Sequence, residues 1–141
     1  MKQRELVSNI MTREVATVQI DDKLADVLNT LQTKKIRHVP VMHGKQLVGI
    51  ISKTDINRLT FSGLLAGQNE VDEAILEMLS ISQVMTHKPR VVHQSDTIKE
   101  VAGILSEEEF HALPVVDDKD PSVLVGMVTT TDVIRYLLKQ Y

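Results

Sequence analysis

Val48-Gly49-Ile50-Ile51-Ser52-Lys53-Thr54-Asp55 is written a second time as Val125-Gly126-Met127-Val128-Thr129-Thr130-Thr131-Asp132, at an offset of 77 from Asp55 to Asp132. Upstream the duplication runs at an offset of 74. Val7-Ser8-Asn9-Ile10-Met11-Thr12 returns as Ile81-Ser82-Gln83-Val84-Met85-Thr86, and Val18, Asp22, Val27, Leu31 and Pro40-Val41 return as Val92, Asp96, Val101, Leu105 and Pro114-Val115. The three extra residues of the second copy fall in Asp117-Asp118-Lys119-Asp120-Pro121-Ser122, a polar turn where added length costs little loop-closure entropy. A repeat that varies only in its turn marks a structural unit.

Each copy reads as β-α-β-β-α behind a capping segment. In the first, Ala16-Thr17-Val18 is a short β-prone run, Asp21 or Asp22 offers an N-cap, and Leu24, Val27, Leu28 and Leu31 form the i, i+3, i+4, i+7 stripe of an amphipathic helix. The second copy repeats the stripe with Ile98, Val101, Ala102 and Leu105. His38-Val39-Pro40-Val41-Met42, the turn His43-Gly44-Lys45, and Leu47-Val48-Gly49-Ile50-Ile51 read as a hairpin of buried strands. Pro40 lacks an N–H and should lie where its strand is unpaired. A short helix carrying Ile56 and Leu59 begins near Ser52.

A three-stranded sheet with both helices on one face leaves its other face bare, and a second copy is the natural cover. The expected fold is therefore α+β, two tandem units packed sheet to sheet about a pseudo-twofold axis. The units are placed at 7–60 and 81–141. Between them, 61–80 is a linker with a flexible part (Ser62-Gly63, Ala66-Gly67-Gln68-Asn69) and a helix carrying Val71, Ala74, Ile75, Met78 and Leu79 on one side.

The composition narrows the function classes. With 141 residues, 43% hydrophobic and 25% charged, the chain can bury a core but has no room for two independent enzymes. Aromatics are 3%, which leaves that core to Val, Ile, Leu and Met. Cysteine is absent, which removes disulfides, thiolate nucleophiles and cysteine zinc sites and fits the cytoplasm as location. Neither a signal peptide nor an apolar run of membrane-spanning length is present, so the expected protein is neither exported nor embedded. A net charge of −3 argues against a nucleic-acid binder.

The repeat, the Met-Thr near each start, the segments Arg37-His38-Val39-Pro40-Val41 and His111-Ala112-Leu113-Pro114-Val115, and the duplicated octapeptides ending at Asp55 and Asp132 together resemble paired CBS (cystathionine-β-synthase) domains, or Bateman modules. The resemblance covers about Val7 to Leu138, with only the linker outside the motif. It implies a disc-like module with two related clefts, adenosine nucleotides (AMP, ADP, ATP or S-adenosylmethionine) as regulatory ligands, no required cofactor, and a homodimer that regulates an enzyme or transporter. Pairs without an attached catalytic domain also resemble acetoin-utilisation-type regulators.

The residues give that implication a chemistry. In Gly-h-h-[Ser/Thr]-x-x-Asp, where h is apolar, Gly49 and Gly126 admit a ligand or another backbone. Ser52 and Thr129 stand where strand becomes helix, with hydroxyls and first-turn N–H groups suited to phosphate. Asp55 and Asp132 offer acceptor-only carboxylates to a ribose diol. Lys53, Thr54 and Thr131 lie between. For the base, Thr17-Val18 and Val91-Val92 are the β-edge candidates, with Pro40 and Pro114 as lids or strand-edge devices. Positive charge comes from Arg37, His38, Lys53 and Arg58 in the first copy, against His111 and Arg135 in the second, so the first cleft is better equipped for polyphosphate.

Other roles stay open at this level. Ser-x-x-Asp is nearly a capping box, and Arg58 and Arg135 can be solvated helix-face charges. In the second copy Thr130 replaces Lys53 and Ala112 replaces His38, which suits a structural dimerisation module with vestigial clefts. The five histidines (His38, His43, His87, His93, His111) lack the spacing of a metal site, and Glu107-Glu108-Glu109 reads as a solvated run. No catalytic motif appears, so no enzymatic activity is expected.

Overall fold

The computed structural model describes residues 4–59, 73–108 and 110–141. Val71, Glu109 and the polar part of the linker lie outside the described residues. The chain divides into two compact units, and the division does not follow the repeat. One is Ala16–Pro89; the other joins Met1–Val15 to Arg90–Tyr141.

In the 16–89 unit the elements are β1 (Val18–Gln19), α1 (Leu24–Thr33), β2 (His38–His43), β3 (Gln46–Ser52), α2 (Lys53–Leu59), α3 (Glu73–Met78), α4 (Ile81–Val84) and β4 (Thr86–His87). The sheet order is β1-β2-β3-β4, with β1 parallel to β2 and the other pairs antiparallel. The expected three strands have gained a fourth, because Thr86 pairs with Ile50 and His87 with Gly49. The second unit has β5 (Val92–His93), α5 (Ile98–Glu107), β6 (Ala112–Val116), β7 (Leu124–Thr129) and α6 (Thr130–Leu138), behind a 3-10 turn at Val7–Asn9. Its sheet is β5-β6-β7, and Thr12 bridges Met127 where the fourth strand would run, through N–H···O bonds of 2.8 and 2.9 Å.

The capping segment in front of each repeat thus completes the sheet of the other repeat. The exchange is reciprocal in detail. Ser80 bridges Lys23, and Leu6 bridges Thr97. Both cores depend on it: Leu76, Ile81 and Met85 join Leu24, Val27, Val39, Ile51 and Ile56, while Val7 and Met11 join Val101, Leu113, Val115 and Val128. Burying one such Ile or Val fully stabilises by about 1.5–3 kcal/mol.

Local chemistry corrects several expectations. Neither Asp21 nor Asp22 caps α1; Lys23 holds the N-cap position and its N–H is taken by Asp26 Oδ2 at 3.0 Å. Asp22 instead closes the preceding turn by accepting from the Gln19 N–H at 2.9 Å. The cap of α5 is a reciprocal box, Thr97 with Glu100. Strands β1 and β5 start one or two residues later than the β-prone runs, so Ala16, Thr17 and Val91 precede them. Among the described side chains of α3, Leu76 is buried (8% exposed), whereas Met78 (80% exposed) and Ala74, both expected on its apolar side, are exposed; the side chain of Ile75 lies outside the described residues. Leu76 belongs to the core that also holds Leu24 and Ile81.

Pro40 sits as its chemistry requires. The Lys53 N–H donates to Arg37 O, so positions 37, 39 and 41 of β2 exchange bonds with β3 and Pro40 turns its nitrogen to the other side. There β1 begins only at Val18, opposite Val41. Gly44, at φ +63° with open space around its α-carbon, permits the tight turn between β2 and β3.

The N-terminal segment is also tied to α6, where the Tyr136 hydroxyl donates to Glu5 Oε2 at 2.8 Å. That bond to a carboxylate pushes the phenol up from its ordinary value of 10.0. A group with a raised folded pKa contributes stability that is fully present below its unfolded pKa and is lost as pH rises through the folded one. Denaturant midpoints measured between pH 9 and 11.5 should therefore fall for the native chain above roughly pH 10, and fall less for Tyr136→Phe. Parallel curves would show that the bond contributes nothing.

Candidate functional site

In each unit the candidate residues converge on one end of the sheet, where β2 begins and β3 passes into α2. His38 stands directly across from Ser52, and Ala112 across from Thr129. A backbone bond stitches each corner, from the Lys53 N–H to Arg37 O at 2.8 Å and from the Thr130 N–H to His111 O at 3.0 Å. Val18 opposite Val41 and Val92 opposite Val115 bring the start of the first strand to the same end.

The Ser/Thr-x-x-Asp turn is a closed capping box in both copies. Ser52 N–H donates to Asp55 Oδ2 at 2.8 Å and Asp55 N–H to Ser52 Oγ at 3.0 Å. The second copy matches, with Thr129 N–H to Asp132 Oδ2 at 2.9 Å and Asp132 N–H to Thr129 Oγ1 at 3.1 Å. One oxygen of each carboxylate is thus committed to the backbone. The other oxygen of Asp55 faces Arg58 Nη1 at 3.7 Å, an ion pair that partly occupies the arginine expected to serve a phosphate. The box pre-orients both side chains without exhausting them, since a carboxylate accepts about four hydrogen bonds and a hydroxyl can still donate.

Several candidates turn out to be parts of the core. Val18, Pro40, Val92 and Pro114 are buried, so a ligand would reach them only through backbone. Gly49 and Gly126 make room for a backbone: a β-carbon on Gly126 would stand 2.6 Å from Met11 Sδ and 2.8 Å from Thr12 O, and one on Gly49 would meet Met85 Sδ and, at 2.9 Å, Thr86 O. The exchanged Met-Thr segments are the close neighbours. Exposed at the corners are Thr17, Arg37, Lys53, Thr54 and Arg58 in one unit and His111, Thr131 and Arg135 in the other.

The charges flanking the corners differ. Lys34 and Lys35 are exposed in the turn before Arg37, whereas in the second repeat Glu107 and Glu108, which align with Thr33 and Lys34, are exposed before His111. The aligned repeat carried this signal as Thr33-Lys34-Lys35 against Glu107-Glu108-Glu109. Away from the corners, Asp120 in the inserted turn is held below the usual carboxylate range by the hydroxyl and N–H of Ser122. Among the described residues no His, Asp or Glu cluster is arranged to hold a metal ion, and no helix is long and apolar enough to cross a membrane.

The family model of the CBS domain matches residues 7–61 and again residues 81–139. The chain belongs to the CBS-domain family. A CBS domain-containing protein of Dictyostelium discoideum is 30% identical to this CBS pair over 135 residues, covering 95% of the chain and 92% of that relative. The chain spans less than half the length of several longer relatives. Among solved structures, Arabidopsis thaliana CBSX2 in complex with AMP resembles this pair with a TM-score of 0.79 and 29% identity, covering 96% of this chain and 98% of that one. The CBS domain pair of MJ0100 in complex with 5′-methylthioadenosine and S-adenosyl-L-methionine does so with a TM-score of 0.74 and 26% identity, over 96% and 98%. Those complexes place adenosine ligands on CBS pairs of this fold.

Proposed function

We propose that this CBS pair is a non-catalytic regulatory module that binds an adenosine nucleotide at the β3–α2 corner of the first repeat and signals its occupancy to a partner protein in the cytoplasm. The observation that carries the reading is the duplicated Gly-h-h-[Ser/Thr]-x-x-Asp corner, whose hydroxyl and carboxylate are fixed by reciprocal capping bonds and keep capacity for a ligand. The adenosine ligands of CBSX2 and the MJ0100 pair support it. Ribose would be read by Asp55 Oδ1, the oxygen outside the capping bond, in competition with Arg58; phosphate by Ser52, Lys53 and Arg37; and base by the backbone around Thr17 and Val18.

The test is calorimetry and thermal shift on the ligand-free chain with AMP, ADP, ATP and S-adenosylmethionine. Binding should stabilise the protein by about 2.7 kcal/mol at ligand one hundred times its dissociation constant. Asp55→Asn keeps an acceptor for the Ser52 N–H but removes the charge, and should weaken affinity about tenfold, in line with a charge-assisted hydrogen bond. Absence of binding across the panel overturns the reading. A structural dimerisation module is then the reading left, favoured by the exposed Ile134, Leu137 and Leu138 on α6, and sedimentation of the ligand-free chain as a dimer would support it.

A further inference from the structure

We infer that the two corners of this CBS pair are matched to ligands of different charge. The Ser52/Asp55 corner takes an adenosine nucleotide that carries phosphate. The Thr129/Asp132 corner takes an adenosine derivative without phosphate, uncharged or cationic. The inference rests on the reading above, that the corners hold adenosine ligands.

Its ground is a reversal of side-chain charge on an unchanged backbone. Both corners have the same capping box and the same stitch, Lys53 N–H to Arg37 O in one and Thr130 N–H to His111 O in the other. On that common frame the first repeat sets Lys34, Lys35, Arg37 and Lys53, all exposed. At the matching positions the second repeat has Glu108 for Lys34, His111 for Arg37 and Thr130 for Lys53, with Glu107 in place of Thr33. Arg58 and Arg135 occupy equivalent places, and Arg58 is partly occupied by its ion pair with Asp55 at 3.7 Å. Arg90 stands 3.7 Å from Glu108, which offsets part of the negative charge there and leaves Glu107 exposed.

Lys35 lies two residues from Arg37, at most about 7 Å along the chain, within a physiological screening length of about 8 Å. Its charge therefore acts on a phosphate held at the corner. At low ionic strength, where the screening length reaches about 30 Å at 0.01 M, Glu107 and Glu108, four and three residues before His111, repel a phosphate there and favour a ligand such as a sulfonium, whose charge is positive. Sharing the fold, the two corners can then report two different metabolite classes on one chain.

Calorimetry on the full ligand-free chain at low salt, with AMP and with 5′-methylthioadenosine as probes, tests this. AMP should fill a single corner, with affinity lost in Asp55→Asn and kept in Asp132→Asn. 5′-Methylthioadenosine should still bind AMP-saturated protein, and should lose that binding in Asp132→Asn. The exposed double variant Glu107→Lys/Glu108→Lys, checked for an unchanged melting curve, should admit AMP to the second corner with affinity raised about tenfold or more. AMP filling both native corners with affinities within about twofold, or no gain in the double variant, overturns the inference while leaving adenosine binding intact. Absence of binding of both probes overturns the adenosine reading and this inference with it.

Discussion

Gly49→Ala is expected to destabilise the 16–89 unit by about 3 kcal/mol, and Gly126→Ala its counterpart by a similar amount, as overpacking of a close contact does. The clash partners decide the size. Met85 and Met11 are flexible side chains that can move aside, but Thr86 O and Thr12 O are backbone, at 2.9 and 2.8 Å from the new methyl group. Moving them breaks the pairing of β4 with β3, or the bridge of Thr12 to Met127. Two other glycines serve as internal controls. Gly103 has nothing within 4 Å and sits inside α5, so Gly103→Ala should stabilise by about 0.5–1 kcal/mol through helix propensity. Gly44 also has open space but φ +63°, so Gly44→Ala should cost about 1 kcal/mol through the backbone alone. Equilibrium denaturation of the four variants checks the series, and a Gly49→Ala protein as stable as the parent would remove the packing role assigned to the exchanged segment.

Severing the chain within Ala66-Gly67-Gln68-Asn69 should give two fragments that do not fold alone and fold when mixed. Each compact unit draws on both sides of that cut: the 16–89 unit needs Leu76, Ile81, Met85 and strand β4 from the second fragment, and the other needs Val7, Met11 and Thr12 from the first. A fragment of residues 1–66 keeps the hairpin and α1 but loses three core side chains, each worth about 1.5–3 kcal/mol. Since a small domain is stable by only about 5–15 kcal/mol, the loss should remove cooperative unfolding. Circular dichroism and denaturant titration of each fragment and of the equimolar mixture report the result. A fragment that unfolds cooperatively by itself would show that each repeat carries a complete fold.

The sequence was most legible where the information is local. The stripes Leu24, Val27, Leu31 and Ile98, Val101 are buried as their spacing requires. The hairpin turns at Gly44 and Lys45, and helices start after Ser52 and Thr129 because a hydroxyl and a carboxylate three residues apart satisfy orphan N–H groups. Pro40 also lies where its missing N–H is harmless. The candidate corner was legible for the same reason, since His38, Ser52 and Asp55 are joined by one hairpin and one helical turn. The cap of α1 was misread because Asp22 has a nearer donor, the Gln19 N–H, and closes a turn instead.

What the sequence determined by itself is the duplicated β-α-β-β-α unit, with its Ser-x-x-Asp and Thr-x-x-Asp corners. Only the tertiary structure decided which copy each Met-Thr segment completes, and hence why Gly49 and Gly126 must be glycine. The physical reason is that periodicity and capping are short-range signals, whereas an edge strand pairs through backbone groups that every residue carries. Val7-Ser8-Asn9-Ile10-Met11-Thr12 and Ile81-Ser82-Gln83-Val84-Met85-Thr86 are similar enough to suit either sheet. The chain in space assigns Thr12 to Met127 and Thr86 to Ile50.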